Sequence, residues 1–453
     1  MTAGAAAHPG PHPGWESGFG ELLHRDPEIA GLLLGEADRQ SADLQLIAAE
    51  NFTSPAVLAA LGSPLANKYA EGYPGARHHG GCELVDLAER IAVDRAKALF
   101  GAEHANVQPH SGSAAVLAAY AALLRPGDPV LAMALRQGGH LTHGSAANIS
   151  GRWYDFTGYG VDARTGLVDY AQVRALARAH RPRAIVCGSI SYPRHIDYAR
   201  FREIADEVGA YLIVDAAHPI GLVAGGAAPN PVPYADVVCA TTHKVLRGPR
   251  GGLILCRVRL AERIDRAVYP LTQGGAQMHT IAAKAVAFGE AATVAFTAYA
   301  HQVVANGRAL AAGLAAEGLD LATGGHRHPP DHRGRRTAGP GRPHGPCPAR
   351  GGPGGPGHLR TRPRARTRPA AGHRGRHHPG HGGGRDDPHR GAPGHRAARG
   401  ATPVTWPVPG WPNWRGGSRR IPPTCDHLQP AGWQGRLCVH SPIGGGREYG
   451  VGL

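Results

Sequence analysis

Aromatic side chains are scarce in this chain. Phe, Trp and Tyr make up 6% of its 453 residues, and there are only three Met. Gly and Pro, at 66 and 39, are over-represented in their place, so part of the chain lacks the material for a packed core. None of the seven cysteines (Cys82, Cys187, Cys239, Cys256, Cys347, Cys425, Cys438) lies in a Cys-x-x-Cys pair. An odd, scattered set argues against a disulfide framework and against a structural zinc site. A reducing, cytoplasmic setting is the expectation. No apolar run reaches membrane-spanning length, and no membrane partner is expected. The stretch Met1–Trp15 is rich in Ala, Gly, Pro and His, and has no basic segment followed by an apolar one, as a Sec signal would. The His clusters near the carboxyl end match no defined ligand spacing, and no metal is expected.

Acidic residues are also few: 34 Asp and Glu against 49 Lys and Arg give a net charge of +15. Such a balance invites an acidic partner such as nucleic acid, provided the charge lies on a folded surface. From His326 to Gly400 the chain has no Ile, Val, Phe, Tyr, Trp, Met or Lys, and a single Leu, Leu359. Arg, His, Pro, Gly and Ala fill nearly all of it, which leaves too little apolar surface to offset the entropy of ordering. A disordered basic tail is expected over 326–453. Three readings compete: a nucleic-acid-binding arm, a linker, and an out-of-frame translation of GC-rich DNA. The genetic code favours the third. With suitable synonymous codons, His326–Arg333 read one base later gives Thr-Asp-Thr-His-Leu-Ile-Thr, an ordinary sheet-forming run. His377–His381 shifts in the same way to Thr-Thr-Gln-Gly-Met. No basic motif interleaved with aromatics supports the first reading, so nucleic acid is not an expected partner.

Up to about Gly325 the pattern is that of an α/β protein. Ala184–Ser189, Tyr211–Val214, Ala235–Thr241 and Gly252–Cys256 read as buried strands, with helices over Tyr170–Ala179 and Phe201–Val208. Strands spaced by helices imply a mostly parallel sheet covered on both faces. Chemistry-bearing residues gather at the predicted strand ends. In Thr241-Thr242-His243-Lys244 a lysine sits at a turn between two strands, where it is either a solvated loop residue or an amine for an aldehyde cofactor. Asp215 ends an apolar strand, with His218 three residues on; a carboxylate there suits the pyridine nitrogen of such a cofactor. His110-Ser111-Gly112-Ser113 precedes a helical run, Ala114–Leu124. Small hydroxyl and Gly residues at a helix start suit a phosphate, or an ordinary N-cap.

These runs resemble the serine (glycine) hydroxymethyltransferase family from Leu46-Ile47-Ala48 through Ala283-Lys284-Ala285. Matching stretches include Asn67–Gly75, Gly138–Gly144, Tyr192-Pro193-Arg194, Val214-Asp215, Ala217-His218 and the run around Lys244. The resemblance implies a pyridoxal-phosphate enzyme of fold type I, with an amino-terminal arm (1–45), a large cofactor domain (46–290) and the start of a small domain (291–325). It implies a homodimer or tetramer with shared active sites, and an amino acid and tetrahydrofolate as small-molecule partners. Lys244 would carry the pyridoxal aldehyde, Asp215 would pair with the pyridine nitrogen, and His140 would stack on the ring. Ser111, Gly112 and Ser113 would bind the phosphate, and Tyr69, Gly274 and Gly275 would reach it from the partner. Glu71 would lie near the substrate hydroxyl and the folate. Thr241, His218 and His243 would shape the pocket, and Leu135, Gly139 and Leu141 would line the folate site. The implied reaction is reversible transfer of the serine hydroxymethyl carbon to tetrahydrofolate.

Several positions depart from the family pattern. Ala49 replaces a Ser, His78-His79 a Tyr pair whose second member is catalytic, Ala114 a Gln, Arg136-Gln137 an Ala-His pair, and Ile190 a Ser. Histidine at 79 still handles protons near neutral pH, whereas Ile190 cannot. These changes on the substrate side keep open an aldolase or transaldolase acting on another β-hydroxy amino acid. The family's carboxylate-binding arginine is absent from the chain. With suitable synonymous codons, Arg368–His373 read one base later can encode an Arg-Leu pair followed closely by Thr, so none of Arg364, Arg366 or Arg368 is assigned that role.

Overall fold

The computed structural model describes residues 18–323. The tail expected over 326–453, and the segment Met1–Trp15, lie outside the described residues. In chain order the elements are α1 (Gly18–Arg25), α2 (Pro27–Ala42), α3 (Pro55–Leu61), a hairpin of β1 (Gly72–Tyr73) and β2 (Ala76–Arg77), and α4 (Glu83–Phe100). There follow β3 (His104–Asn106), α5 (Gly112–Leu123), β4 (Pro129–Met133), α6 (Ile149–Trp153), β5 (Asp155–Tyr159), α7 (Tyr170–His180), β6 (Ala184–Gly188) and α8 (Tyr198–Val208). Then come β7 (Tyr211–Asp215), α9 (Ile220–Ala224), β8 (Val237–Thr241), β9 (Gly252–Cys256), α10 (Ala261–Arg266), α11 (Met278–Ala291) and α12 (Val294–Ala316).

Seven strands form one sheet in the order β3-β9-β8-β7-β6-β4-β5. From β5 to β8 every pairing is parallel; β9 alone runs against both of its neighbours. The reversal follows from the connection. No crossover helix separates β8 from β9, only the loop 242–251, and a strand returning directly must pair antiparallel.

β6, β8 and β9 are buried at every position, which is why their sequences read as continuous apolar runs. Alternation persists beneath that uniformity. Leu131, Ile185, Leu212, Val214 and Leu253 join Phe100, Phe201 and Phe288 of α4, α8 and α11 on one face. Val130, Val186, Ile213, Val237 and Ile254 join Val116 and Tyr120 of α5 on the other. This is the period-two geometry of a strand.

The boundaries are set by local hydrogen bonds. α8 starts earlier than its apolar periodicity suggests because Asp197 caps it, accepting from the Arg200 N–H at 3.1 Å. β8 begins at Val237 rather than Ala235. The Asp236 carboxylate instead accepts the Leu212 N–H at 2.9 Å and binds Arg202 and Arg259. Among the described residues no single helix is long and apolar enough to cross a membrane; α11 and α12 suffice only as a pair, bent by 81° at their junction.

Candidate active site

The carboxyl ends of the parallel strands converge on one region, where open α/β sheets bind ligands. β7 ends in Asp215, which is 7% exposed. Its Oδ1 accepts the Ala217 N–H at 3.1 Å, and His143 Nε2 lies 3.0 Å from Oδ2. His143 Nδ1 accepts the His140 backbone N–H at 3.1 Å, so the ring proton sits on Nε2 and is donated to Asp215. Burial, the largest single influence, pushes the Asp215 carboxyl up, but the His143 hydrogen bond, the nearby His143 and His140 rings and the Ala217 N–H together hold the group below its ordinary value. Asp215 is therefore a buried, oriented carboxylate.

β8 ends in Thr241, whose Oγ1 donates to the Ala217 carbonyl at 2.9 Å and ties the Lys244 loop to the turn after Asp215. Lys244 is buried. Burial lowers its ammonium pKa, opposed by the Asp215 charge. Asn51 Nδ2 donates to the Lys244 carbonyl at 3.0 Å. His218 and His243 are both lowered to about 4, chiefly by burial, and so are neutral at pH 7. His140 is half-buried on the turn after β4, where its Nδ1 accepts the Thr142 N–H at 3.2 Å.

Ser111 caps α5, accepting the Ala114 N–H at 3.1 Å. Gly112 lies against β8, so that a Cβ there would collide with Thr241 Cγ2. Ser111 and Ser113 are exposed at the helix start. His110 Nε2 and His243 Nδ1 are buried without a partner among the described residues.

Tyr69, Glu71, His79, Gly274 and Gly275 form a second cluster. Tyr69 meets His79 edge-to-face at 4.9 Å, and a Cβ on Gly275 would lie 3.3 Å from the Tyr69 ring. Glu71 Oε1 would be 3.7 Å from a Cβ on Gly274. Gln273 joins the two clusters: its Oε1 accepts the His110 N–H at 2.9 Å and its Nε2 donates to the Gln108 carbonyl at 3.1 Å. Leu135 and Leu141 are exposed on either side of the turn that holds Gly139. Ile190 is exposed nearby, its N–H donating to the Gly138 carbonyl at 2.9 Å. Among the described residues no group of three or more His, Cys, Asp or Glu could hold a metal ion.

A profile of the serine hydroxymethyltransferase family matches residues 22–328. The chain belongs to that family. The serine hydroxymethyltransferase of Synechococcus sp. (strain JA-3-3Ab) is 59% identical over 305 residues, 67% of this chain and 70% of that relative. Within the hydroxymethyltransferase match the large α/β unit is of fold type I, as expected. The match stops at 328, just past the change in composition at Gly325. Sequence reading assigned no role to His143, Asn51 or Gln273. His143 lies within the quoted Gly138–Gly144 run, but its partner is 72 residues away and no local spacing announces it.

Proposed function

We propose that the chain is a pyridoxal-phosphate-dependent transferase that interconverts serine and glycine, with tetrahydrofolate as the one-carbon carrier. The observation that carries this reading is the combination of Asp215 and Lys244: a buried carboxylate held below its ordinary value by His143, His140 and the Ala217 N–H together, close to a lysine whose charged form is disfavoured. The residues present fit the cofactor. Asp215 offers a negative charge to the pyridine nitrogen, Lys244 an amine to the aldehyde, and His140 a ring face. Ser111, Gly112 and Ser113 offer a phosphate seat at the α5 amino terminus. The unpartnered His110 Nε2 and His243 Nδ1 are polar atoms that a polar ligand would satisfy. When bound, the cofactor supplies an electron sink for charge left on the amino-acid α-carbon.

The chain's own groups do the rest. Burial favours neutral Lys244, the nucleophilic form of an amine. Asp215 stays anionic and keeps a shared proton on its partner nitrogen. Neutral His218 and His243 add no competing positive charge. Glu71 and His79 are placed to hold or move the proton of a substrate hydroxyl. Exposed Leu135 and Leu141, with Gly139 between them, suit the flat face of a folate.

A homodimer or tetramer is supported by apolar side chains left exposed on α1, α2 and α4, among them Phe19, Leu32, Leu33, Leu84 and Leu87. Tyr69, Gly274 and Gly275 would serve the partner's site. Cys82, Cys187, Cys239 and Cys256 are all free, in keeping with a cytoplasmic protein. The domain limits follow the same reading: arm 1–45, large domain 46–290, and a small domain begun at 291 and broken off at 325.

The end of the family match at residue 328 supports an out-of-frame tail. The test is to express the chain as written and a version with one base removed at the Gly325–His326 codon boundary. Glycine formation is then measured from serine and other β-hydroxy amino acids, with and without tetrahydrofolate. Restoring the frame returns the carboxylate-binding arginine, and loss of such positioning costs about 100-fold or more in rate. Folate-dependent glycine formation should therefore appear mainly in the repaired chain. Equal activity in both would overturn the frame reading, and preferential folate-independent cleavage of another amino acid would replace the transferase with the aldolase.

A further inference from the structure

Lys284, on α11, is 1% exposed and is among the largest fully buried side chains. A buried ammonium persists only when its donors are met. Lys284 Nζ donates to the carbonyls of Val107 at 2.6 Å, Pro109 at 3.0 Å and Gly252 at 2.8 Å. Three acceptors match the three N–H groups of an ammonium. Burial lowers the Lys284 ammonium to about 7, and the Glu89 charge only partly opposes it, so the three acceptors are what hold the amine in place. Glu89 is itself buried, bound to Arg77 and to Gln108 Nε2 at 2.8 Å.

The carbonyls come from two separate stretches of backbone. Val107–Pro109 leads directly into His110, Ser111 and Gly112. Gly252 closes the loop that opens with Thr242, His243 and Lys244. The two stretches touch where the Gly252 N–H donates to the Pro109 carbonyl at 2.9 Å, and Thr242 holds the loop from within by donating to the carbonyls of Gly251 and Pro249. A single Nζ thus fastens the stretch leading into the phosphate seat to the far end of the loop that carries the cofactor lysine.

We propose that Lys284 is a positioning residue that sets the distance between the phosphate seat at Ser111–Ser113 and the amine of Lys244. The inference rests on the cofactor reading above. Its consequence is specific: a ligand anchored at both ends feels that distance, and a ligand anchored at one end does not. The experiment titrates the full chain with pyridoxal phosphate and with pyridoxal, which keeps the ring and aldehyde but lacks the phosphate. Lys284→Met keeps length and bulk but removes the donors. Lys284→Arg keeps charge in a planar fork that cannot reproduce three converging N–H groups. Gly251→Ala keeps the lysine but places a methyl 2.5 Å from its Cε.

Supporting groups behind metal ligands typically cost about 10–100-fold when removed, and a similar rise in the pyridoxal phosphate Kd is expected for all three variants. The pyridoxal Kd should change little, so the ratio of the two collapses. A wild-type ratio in the variants, or a parallel rise in both constants, would overturn the proposal and leave Lys284 a structural residue. Where Lys284→Met is insoluble, Gly251→Ala decides. Failure of the wild-type chain to bind either aldehyde would overturn the cofactor reading itself, and this inference with it.

Discussion

His143 receives the His140 N–H on Nδ1 and therefore presents its Nε2 proton to Asp215, so one imidazole orients the carboxylate and, with His140 and the Ala217 N–H, offsets the burial that would neutralise it. Asp215 and Lys244 were legible in the sequence because the first closes an apolar strand run and the second follows one by three residues, and a strand end can be read locally. His143 and Lys284 were not. The first depends on a partner 72 residues on, and the second reads as an ordinary helix lysine among alanines until two loops supply its acceptors. The role of Lys244 is checked by borohydride reduction of the cofactor-loaded chain followed by peptide mapping. The pyridoxyl group is expected on Lys244; finding it on Lys284 or elsewhere, with Lys244 unlabelled, removes the assignment.

At the level of elements, the four predicted strands and both interior helices form, with shifts at their ends. The shifts arise at Asp197 and Asp236, whose carboxylates bind backbone N–H groups and so move a boundary that hydrophobicity alone places elsewhere. The reversed β9 was also readable in principle, since the sequence between β8 and β9 has no helical stretch. The contact between α5 and β8 could not be read, because Gly112 and Thr241 are far apart in the chain. Gly112→Ala should cost about 1–3 kcal/mol through overpacking against Thr241 Cγ2. Thr241→Ser removes that methyl and keeps the hydroxyl that bonds the Ala217 carbonyl, so it should recover most of the loss. A double-mutant cycle in urea measures the coupling, and strictly additive costs would show that the two elements do not meet there.

For the whole molecule, half-buried neutral histidines make stability depend on acidity. His218 and His243 fall from the ordinary 6.5 to about 4 in the folded chain. Between those values the unfolded chain binds protons that the folded chain refuses, so stability is full above pH 6.5 and declines as the pH drops towards about 4. The Tm should fall across that window, and replacing both residues with Asn should flatten the fall. A slope unchanged by the double replacement would place the acid sensitivity elsewhere.

Every residue assigned to the cofactor pocket falls between Tyr69 and Lys284, while the family likeness runs on to residue 328. A chain leaves the ribosome amino terminus first, and its domains fold as they emerge. The pocket is therefore fully synthesised before the altered composition begins. If the tail is out of frame as proposed, a survey that scored clones by the yellow colour of a bound cofactor would count this chain as intact, and one that scored them by growth on its product would count it as missing. Disagreement between those two scores is then the signature by which such a break would be recognised in a living cell.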